Sequence, residues 1–307
     1  MRAMRRMLLV GALVTGAGCN QVLGLDPVSS RDGQADDAMA PHDGGDDAPA
    51  PLGRWGTPVP ITNLATVIDE EDPAMNPAGN ELYFTSLDTE NATGLDVLVS
   101  RRTGSGGAWG PPERVATLSS PSNDGSVRLG ADGLTLYLAS DRNGTTGGFD
   151  VWRSFRFSTG DPWSAPTRFD APGLNTTSSD RSASPCLGGT RFVFQSDRAG
   201  TPDLYELADS APAPIPGASD PVITEGAPFV TEDCLTLYFA SSQTGGLDLY
   251  VMTRPTLDGA WSNPQAITDL NSGGLEADPW VSPDQRTIVF SYDPTGAGAY
   301  DLYMATR

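Results

Sequence analysis

The sequence predicts an all-β chain: a single five-bladed β-propeller of four-stranded blades, closed by an N-terminal strand that joins the last blade. The first of three observations is a strand pair built around a glycine-rich turn. Leu134, Leu136 and Leu138 alternate with the period of a half-buried strand, the cluster Ser140-Asp141-Arg142-Asn143-Gly144 breaks it, and Phe149-Asp150-Val151-Trp152 begins the return strand. Equivalent pairs are Leu82-Tyr83-Phe84 with Asp96-Val97-Leu98, Phe192-Val193-Phe194 with Asp203-Leu204-Tyr205, Leu237-Tyr238-Phe239 with Asp248-Leu249-Tyr250, and Ile288-Val289-Phe290 with Asp301-Leu302-Tyr303. The second observation is the spacing of the aspartates in these pairs, 54, 53, 45 and 53 residues, which is the range of propeller blades. The third is a segment Trp-x-x-Pro-x-x-apolar that punctuates the repeats at Trp55, Trp109, Trp163 and Trp261.

Ring closure follows from where those segments fall. Trp55-Pro58-Ile61 precedes every repeat, and no such segment follows the last one, so the N-terminal segment is expected to be the outermost strand of blade five. That arrangement removes two free sheet edges. The third repeat is shorter, and Pro212-Ala213-Pro214-Ile215-Pro216 reads as a degraded outer strand, tolerable because that strand is an edge. Recurrence of the tryptophans at one position predicts inter-blade packing. Trp152 and Trp280 stand outside that series; Trp280 lies in an innermost strand and is the candidate pocket wall.

The motifs Ser282-Pro283-Asp284, Leu237-Tyr238-Phe239-Ala240-Ser241 and Ser196-Asp197-Arg198-Ala199-Gly200 before Asp203-Leu204-Tyr205 resemble the repeats of TolB-like (WD40-like) β-propellers. The resemblance covers residues 55 to 307 and implies the fold, a periplasmic or envelope setting and a habit of protein contacts. It carries no catalytic residue, and TolB itself has six blades, so its partner surfaces do not transfer.

Residues 1–18 read as an export signal: Arg2, Arg5 and Arg6, then the apolar run Met7 to Val14, then small residues. Small residues directly before Cys19 resemble a bacterial lipobox, in which Cys19 becomes the lipidated (palmitate-bearing) N-terminus; Asn20 after it points to the outer membrane, periplasmic or surface facing. The segment is too short to span a bilayer as a helix. Residues 19–51 hold seven aspartates and one arginine among alanine, glycine and proline, and read as a disordered acidic tether. Residues 52–307 form the propeller.

Composition excludes several function classes. The chain has 307 residues and a net charge of -20, and arginine supplies all 19 basic residues. Such a surface does not neutralise a phosphate backbone, so nucleic acid is not an expected partner. The single histidine, His42, lies in the tether, so the folded part has no Ser-His-Asp or Cys-His arrangement and no histidine-containing zinc site. Gly144 to Gly148 lacks lysine and opens no helix, so it is no phosphate cradle.

Carboxylates remain. Alignment of the repeats brings Glu70, Asp124, Asp180, Glu225 and Glu276 to one position at the start of each innermost strand, where they are expected to encircle one channel mouth. This ring admits three readings, a structural role bonding backbone N–H groups of the neighbouring blade, a cation site and catalysis, and its symmetry speaks against catalysis, which needs an acid and a base in different surroundings. Arg142 and Arg198 are placed to neutralise Asp124 and Asp180. Strand alternation would set Asp72 beside Glu70 and Asp278 beside Glu276, a candidate Ca²⁺ site at the junction of blades one and five. Cys186 and Cys234 are left as a candidate disulfide, with two separate thiols as the alternative. The expected function is therefore a monomeric, lipid-anchored, non-enzymatic propeller that recognises envelope protein or cell-wall components. The alternative is a glycan-processing enzyme using the channel acids.

Overall fold

The computed structural model describes residues 52–64, 68–87, 94–209, 211–297 and 299–307. The export signal, Cys19 and the acidic tether lie outside the described residues. Twenty strands form five four-stranded antiparallel sheets, and the described helical structure is one 3₁₀ turn, Leu187–Gly189.

Blade one is β2 (Glu70–Met75), β3 (Glu81–Leu87), β4 (Leu95–Arg101) and β5 (Glu113–Arg114). Blade two follows as β6 (Asp124–Leu129), β7 (Thr135–Ser140), β8 (Asp150–Phe155) and β9 (Thr167–Arg168). Blade three is β10 (Asp180–Cys186), β11 (Arg191–Ser196), β12 (Asp203–Leu207) and β13 (Ala213–Pro214). Blade four is β14 (Glu225–Val230), β15 (Thr236–Ser241), β16 (Asp248–Thr253) and β17 (Gln265–Ala266). Blade five, β18 (Leu275–Val281), β19 (Thr287–Asp293) and β20 (Asp301–Thr306), is completed by β1 (Val59–Pro60) from the N-terminal segment.

β1 runs antiparallel to β20, with Val59 opposite Met304 and Pro60 opposite Tyr303. Gly56 N–H donates to Thr306 O and Ile61 N–H to Leu302 O, both at 2.8 Å, so the joint extends beyond the strand itself. The innermost strands β2, β6, β10, β14 and β18 contact their neighbours in turn, β18 meeting β2, and surround the axis. The core lies between blades: the second strands, which carry the most regular apolar repeat, bury Leu82, Leu136, Phe194, Leu237 and Ile288. Blade three keeps its outer strand, against expectation. β13 is as long as its four counterparts, because Pro214 faces Tyr205 at an edge where a missing donor is not needed.

What blade three lacks is a clamp that the other blades share. The arginine just past each third strand stacks on the periodic tryptophan: Arg102 on Trp109, Arg156 on Trp163, Arg254 on Trp261 and Arg307 on Trp55, at 4.0 to 4.5 Å from the ring centre. The same guanidinium donates its Nε–H to one equivalent carbonyl in the first turn of its blade, Gly79, Gly133, Cys234 or Gln285, at 2.7 to 3.1 Å. Those four residues all have φ between 55° and 67°. Three clamps also reach the preceding blade: Arg156 to Glu81, with Trp163 Nε1–H on Tyr83 Oη, Arg254 to both Glu206 oxygens, and Arg307 to Tyr238 Oη. The tryptophans thus do serve inter-blade packing.

Blade three has neither the arginine nor the tryptophan, and its first turn is held differently. Leu187 N–H donates to Glu232 O, Gly188 N–H to Glu232 Oε1, and Cys186, the last residue of β10, is disulfide-bonded to Cys234 of blade four with Cα atoms 5.5 Å apart. The covalent link sits at the turn where the stacked arginine is missing.

Two predictions follow from these joints. A chain starting at Leu64 loses β1 and exposes an edge on β20, so it is expected to self-associate and melt well below a chain starting at Pro51, checked by light scattering and calorimetry. Replacing Cys186 and Cys234 together by serine is expected to cost about 2–4 kcal/mol in denaturant unfolding, because the bridge closes a loop of 48 residues.

Candidate functional site

The five repeated acids are buried, 0–2 % exposed, and none of them lines the cavity at this mouth. Asp124 accepts from Ser120 N–H, Ser140 Oγ–H and the Arg142 guanidinium; Asp180 accepts from Thr176 N–H and Oγ1–H at 2.7 Å and from Arg198 at 2.6 Å. Glu225 accepts from Asp220 N–H and Glu276 from Ser272 N–H and Oγ–H. Each of these four therefore ties its innermost strand to the segment arriving from the blade before. Arg142 and Arg198 sit where the sequence placed them, each also donating to a carbonyl of that segment, Leu118 or Leu174.

The residues that do line this mouth stand one and two places further on: Glu71, Asp72, Gly125, Ser126, Arg181, Ser182, Ala227, Ala277 and Asp278, with Tyr300 beside them, around a cavity of about 210 Å³. A bulge in every innermost strand is the cause. Asp72, Ser126, Ser182, Ala227 and Asp278 all have φ of 50–55°, and each strand shifts register against its partner at this point. The proposed Ca²⁺ set of Glu70, Asp72, Glu276 and Asp278 is therefore divided, since alternation fails across the bulge: Asp72 and Asp278 face the lumen while Glu276 faces Ser272. Among the described residues no three His, Cys, Asp or Glu side chains are grouped to hold a metal ion.

The bulges join the blades. Asp72 Oδ2 accepts from Ser126 N–H at 2.8 Å and Gln195 Oε1 from Ala227 N–H at 3.1 Å, so a side chain of one blade holds the turned-out amide of the next. Gly125 is required here, because a Cβ would lie 2.9 Å from Thr85 Cγ2. Burial, with Asp278, Asp72 and Asp69 close by, pushes the Glu71 carboxyl up to about 8. Burial and then Asp72 lift Asp278 to about 7 against the pull of Arg128. Burial likewise raises Glu225 to about 7.

The opposite mouth, at the C-terminal ends of the innermost strands, opens into a larger cavity of about 590 Å³. Its wall includes Trp280, as the sequence suggested, set edge-on to Phe229 with ring centres 6.3 Å apart, together with Met75, Leu129, Leu187 and Val281. Arg128 reaches it from β6. Arg128, Ser184, Phe229 and Trp280 occupy the same register in their innermost strands, opposite Tyr137, Val193, Tyr238 and Val289. Sequence reading missed Glu71, Arg181, Tyr300 and Arg128; an arginine at the register of Trp280 was the available signal for the last.

Fold and site together define a five-bladed β-propeller with an acidic mouth at one end of its axis and an aromatic-walled cavity at the other. No family model and no curated protein matches the chain. Among solved structures it is similar to a GH62 hydrolase in complex with xylotriose (TM-score 0.56, 15 % identity, 83 % of this chain and 98 % of that one). It is similar also to the endo-arabinase of Bacteroides thetaiotaomicron VPI-5482 (TM-score 0.55, 13 % identity, 82 % and 97 %). TolB from Acinetobacter baumannii matches with a TM-score of 0.48 and 16 % identity over 80 % of this chain, which spans 56 % of that protein. At these identities the likeness is one of fold.

The acidic mouth predicts a pH dependence. A carboxyl whose pKa is higher folded than unfolded contributes stability that is present at low pH and is lost as pH rises through the folded value. With Glu71 moved from 4.5 to about 8 and Asp278 from 3.8 to about 7, the melting temperature is expected to fall between about pH 5 and pH 8. Glu71→Gln together with Asp278→Asn is expected to flatten that slope in thermal melts across the range.

Proposed function

We propose that this chain is a non-enzymatic binding propeller of the bacterial cell envelope, exported and lipid-anchored through Cys19, that receives its ligand in the Trp280 cavity. The observation that carries the reading is the cavity itself, about 590 Å³ with an aromatic and aliphatic wall and a buried guanidinium, which has the size and lining of a ligand site. The repeated carboxylates lend support by their use: four of the five brace the joints between blades. Acyl anchoring at Cys19 and an outer-membrane position, periplasmic or surface facing, rest on the leader sequence.

A second reading, glycan processing, is favoured by the convergence of Glu71, Asp72 and Asp278 at the acidic mouth, because glycosidases flank the scissile bond with carboxyl groups of unlike environment. One experiment separates the two. The protein is expected to release no sugar from a polysaccharide panel and to retain an envelope protein or cell-wall fragment in pulldowns, retention falling at least about tenfold in Trp280→Ala. Turnover abolished by Glu71→Gln or Asp278→Asn would replace the binding reading with the enzymatic one.

A further inference from the structure

Among the described residues, the buried arginines come with a carboxylate, with one exception. Arg156 pairs with Glu81 and Arg254 with Glu206. Arg128 is 1 % exposed, yet its hydrogen bonds go to two backbone carbonyls: Nε–H to Pro228 O at 3.1 Å and Nη1–H to Val127 O at 2.9 Å. Its Nη2 has no partner, and it makes no ion pair among the described residues. A buried charge left in that state is costly, and an orphaned buried donor calls for an explanation.

The surroundings of Arg128 supply no countercharge at contact distance. Asp72 and Asp278 act on it electrostatically from the acidic side without pairing with it, and Asp72 Oδ2 is taken by Ser126 N–H. On the cavity side the rim acids are also engaged, Glu232 by Gly188 N–H and Asp233 by Leu235 N–H and Thr231 Oγ1–H. At the register of Arg128, on the innermost strand of the next blade, the cavity offers the Ser184 hydroxyl. Its inner end is therefore rich in donors and its wall apolar.

The geometry assigns the Trp280 cavity to a ligand with a carboxylate on an apolar body, the carboxylate pairing with Arg128 and the body lying against Trp280 and Phe229. This rests on the cavity being the binding site and adds the chemical class of what fills it. Charge complementarity sets the orientation: the acids at the rim repel a carboxylate and the guanidinium at the inner end attracts it. A free peptide C-terminus and a free aromatic or fatty acid present the same chemistry.

The test uses the whole protein and three probes, 4-phenylbutyrate, decanoate and a hexapeptide ending in phenylalanine, each compared with its primary amide by calorimetric titration and thermal shift. At least one acid is expected to bind about tenfold or more tighter than its amide, the margin of a charge-assisted pair over a neutral one. Arg128→Met is expected to erase that margin, and Trp280→Ala to weaken acid and amide alike. Because removing Arg128 risks the fold, the acid-to-amide comparison in the unaltered protein stands as the independent measurement. A peptide that outbinds the small acids names a protein C-terminus as the source; the reverse names a free acid. Equal binding of acid and amide, with both weakened in Trp280→Ala, would overturn the carboxylate and leave the cavity reading standing. No binding by any probe would overturn the carboxylate assignment, and a pulled-down partner retained equally by Trp280→Ala would overturn the cavity reading as well.

Discussion

The stacked arginine is the contact on which the ring depends. One guanidinium in each of four blades covers a tryptophan face, caps the carbonyl of a left-handed turn residue, and in three of them reaches a partner on the preceding blade. A flat, delocalised cation with donors in its own plane does these three things at once; a lysine ammonium, compact and strongly hydrated, has no face to stack and no fixed fork. The chain contains no lysine, and eight of its arginines lie over an aromatic ring. Capping the turn carbonyl also helps hold Cys234 and Gln285 in a backbone region that residues with a Cβ reach at a cost of about 1–3 kcal/mol.

A second device, the bulge, works on the inside of the ring as the clamp works near its rim. Each bulge breaks its own ladder, and the amides of Ser126 and Ala227 are taken by side chains of the preceding blade, Asp72 and Gln195. The blades are consequently joined by polar contacts around the axis and by aromatic and apolar ones further out. Spreading the joints over two radii resists both sliding and hinging between neighbouring sheets.

The fold was legible because a period of about fifty residues repeats an apolar alternation five times, and a leftover tryptophan segment has only one edge to join. The register of the site was less so. A rule of two places Glu70 and Asp72 on one side of a regular strand, and a single residue at positive φ ends the rule; nothing in Glu-Glu-Asp-Pro-Ala announces that Asp72 is that residue. Glu71 was overlooked for the same reason. Arg128 escaped notice because Val127-Arg128-Leu129 reads as an ordinary half-exposed strand, and burial arises when five such strands meet at the axis. The pairing of Cys186 with Cys234 was within reach since both aligned near the same turn of adjacent blades.

Closure by β1 has a consequence for how the molecule is made. Its partner β20 ends at Thr306, so the first part of the folded unit to be synthesised binds the last. Blades one to four can form as sheets while the chain lengthens, but blade five and the circle wait for β20, and that contact joins residues more than two hundred positions apart. Until then the inner strands surround no axis, and neither the acidic mouth nor the Trp280 cavity exists. A chain stopped short by a few dozen residues would thus be several well-made sheets without a site, and its unpaired N-terminal strand would be free to seek the edge of another copy.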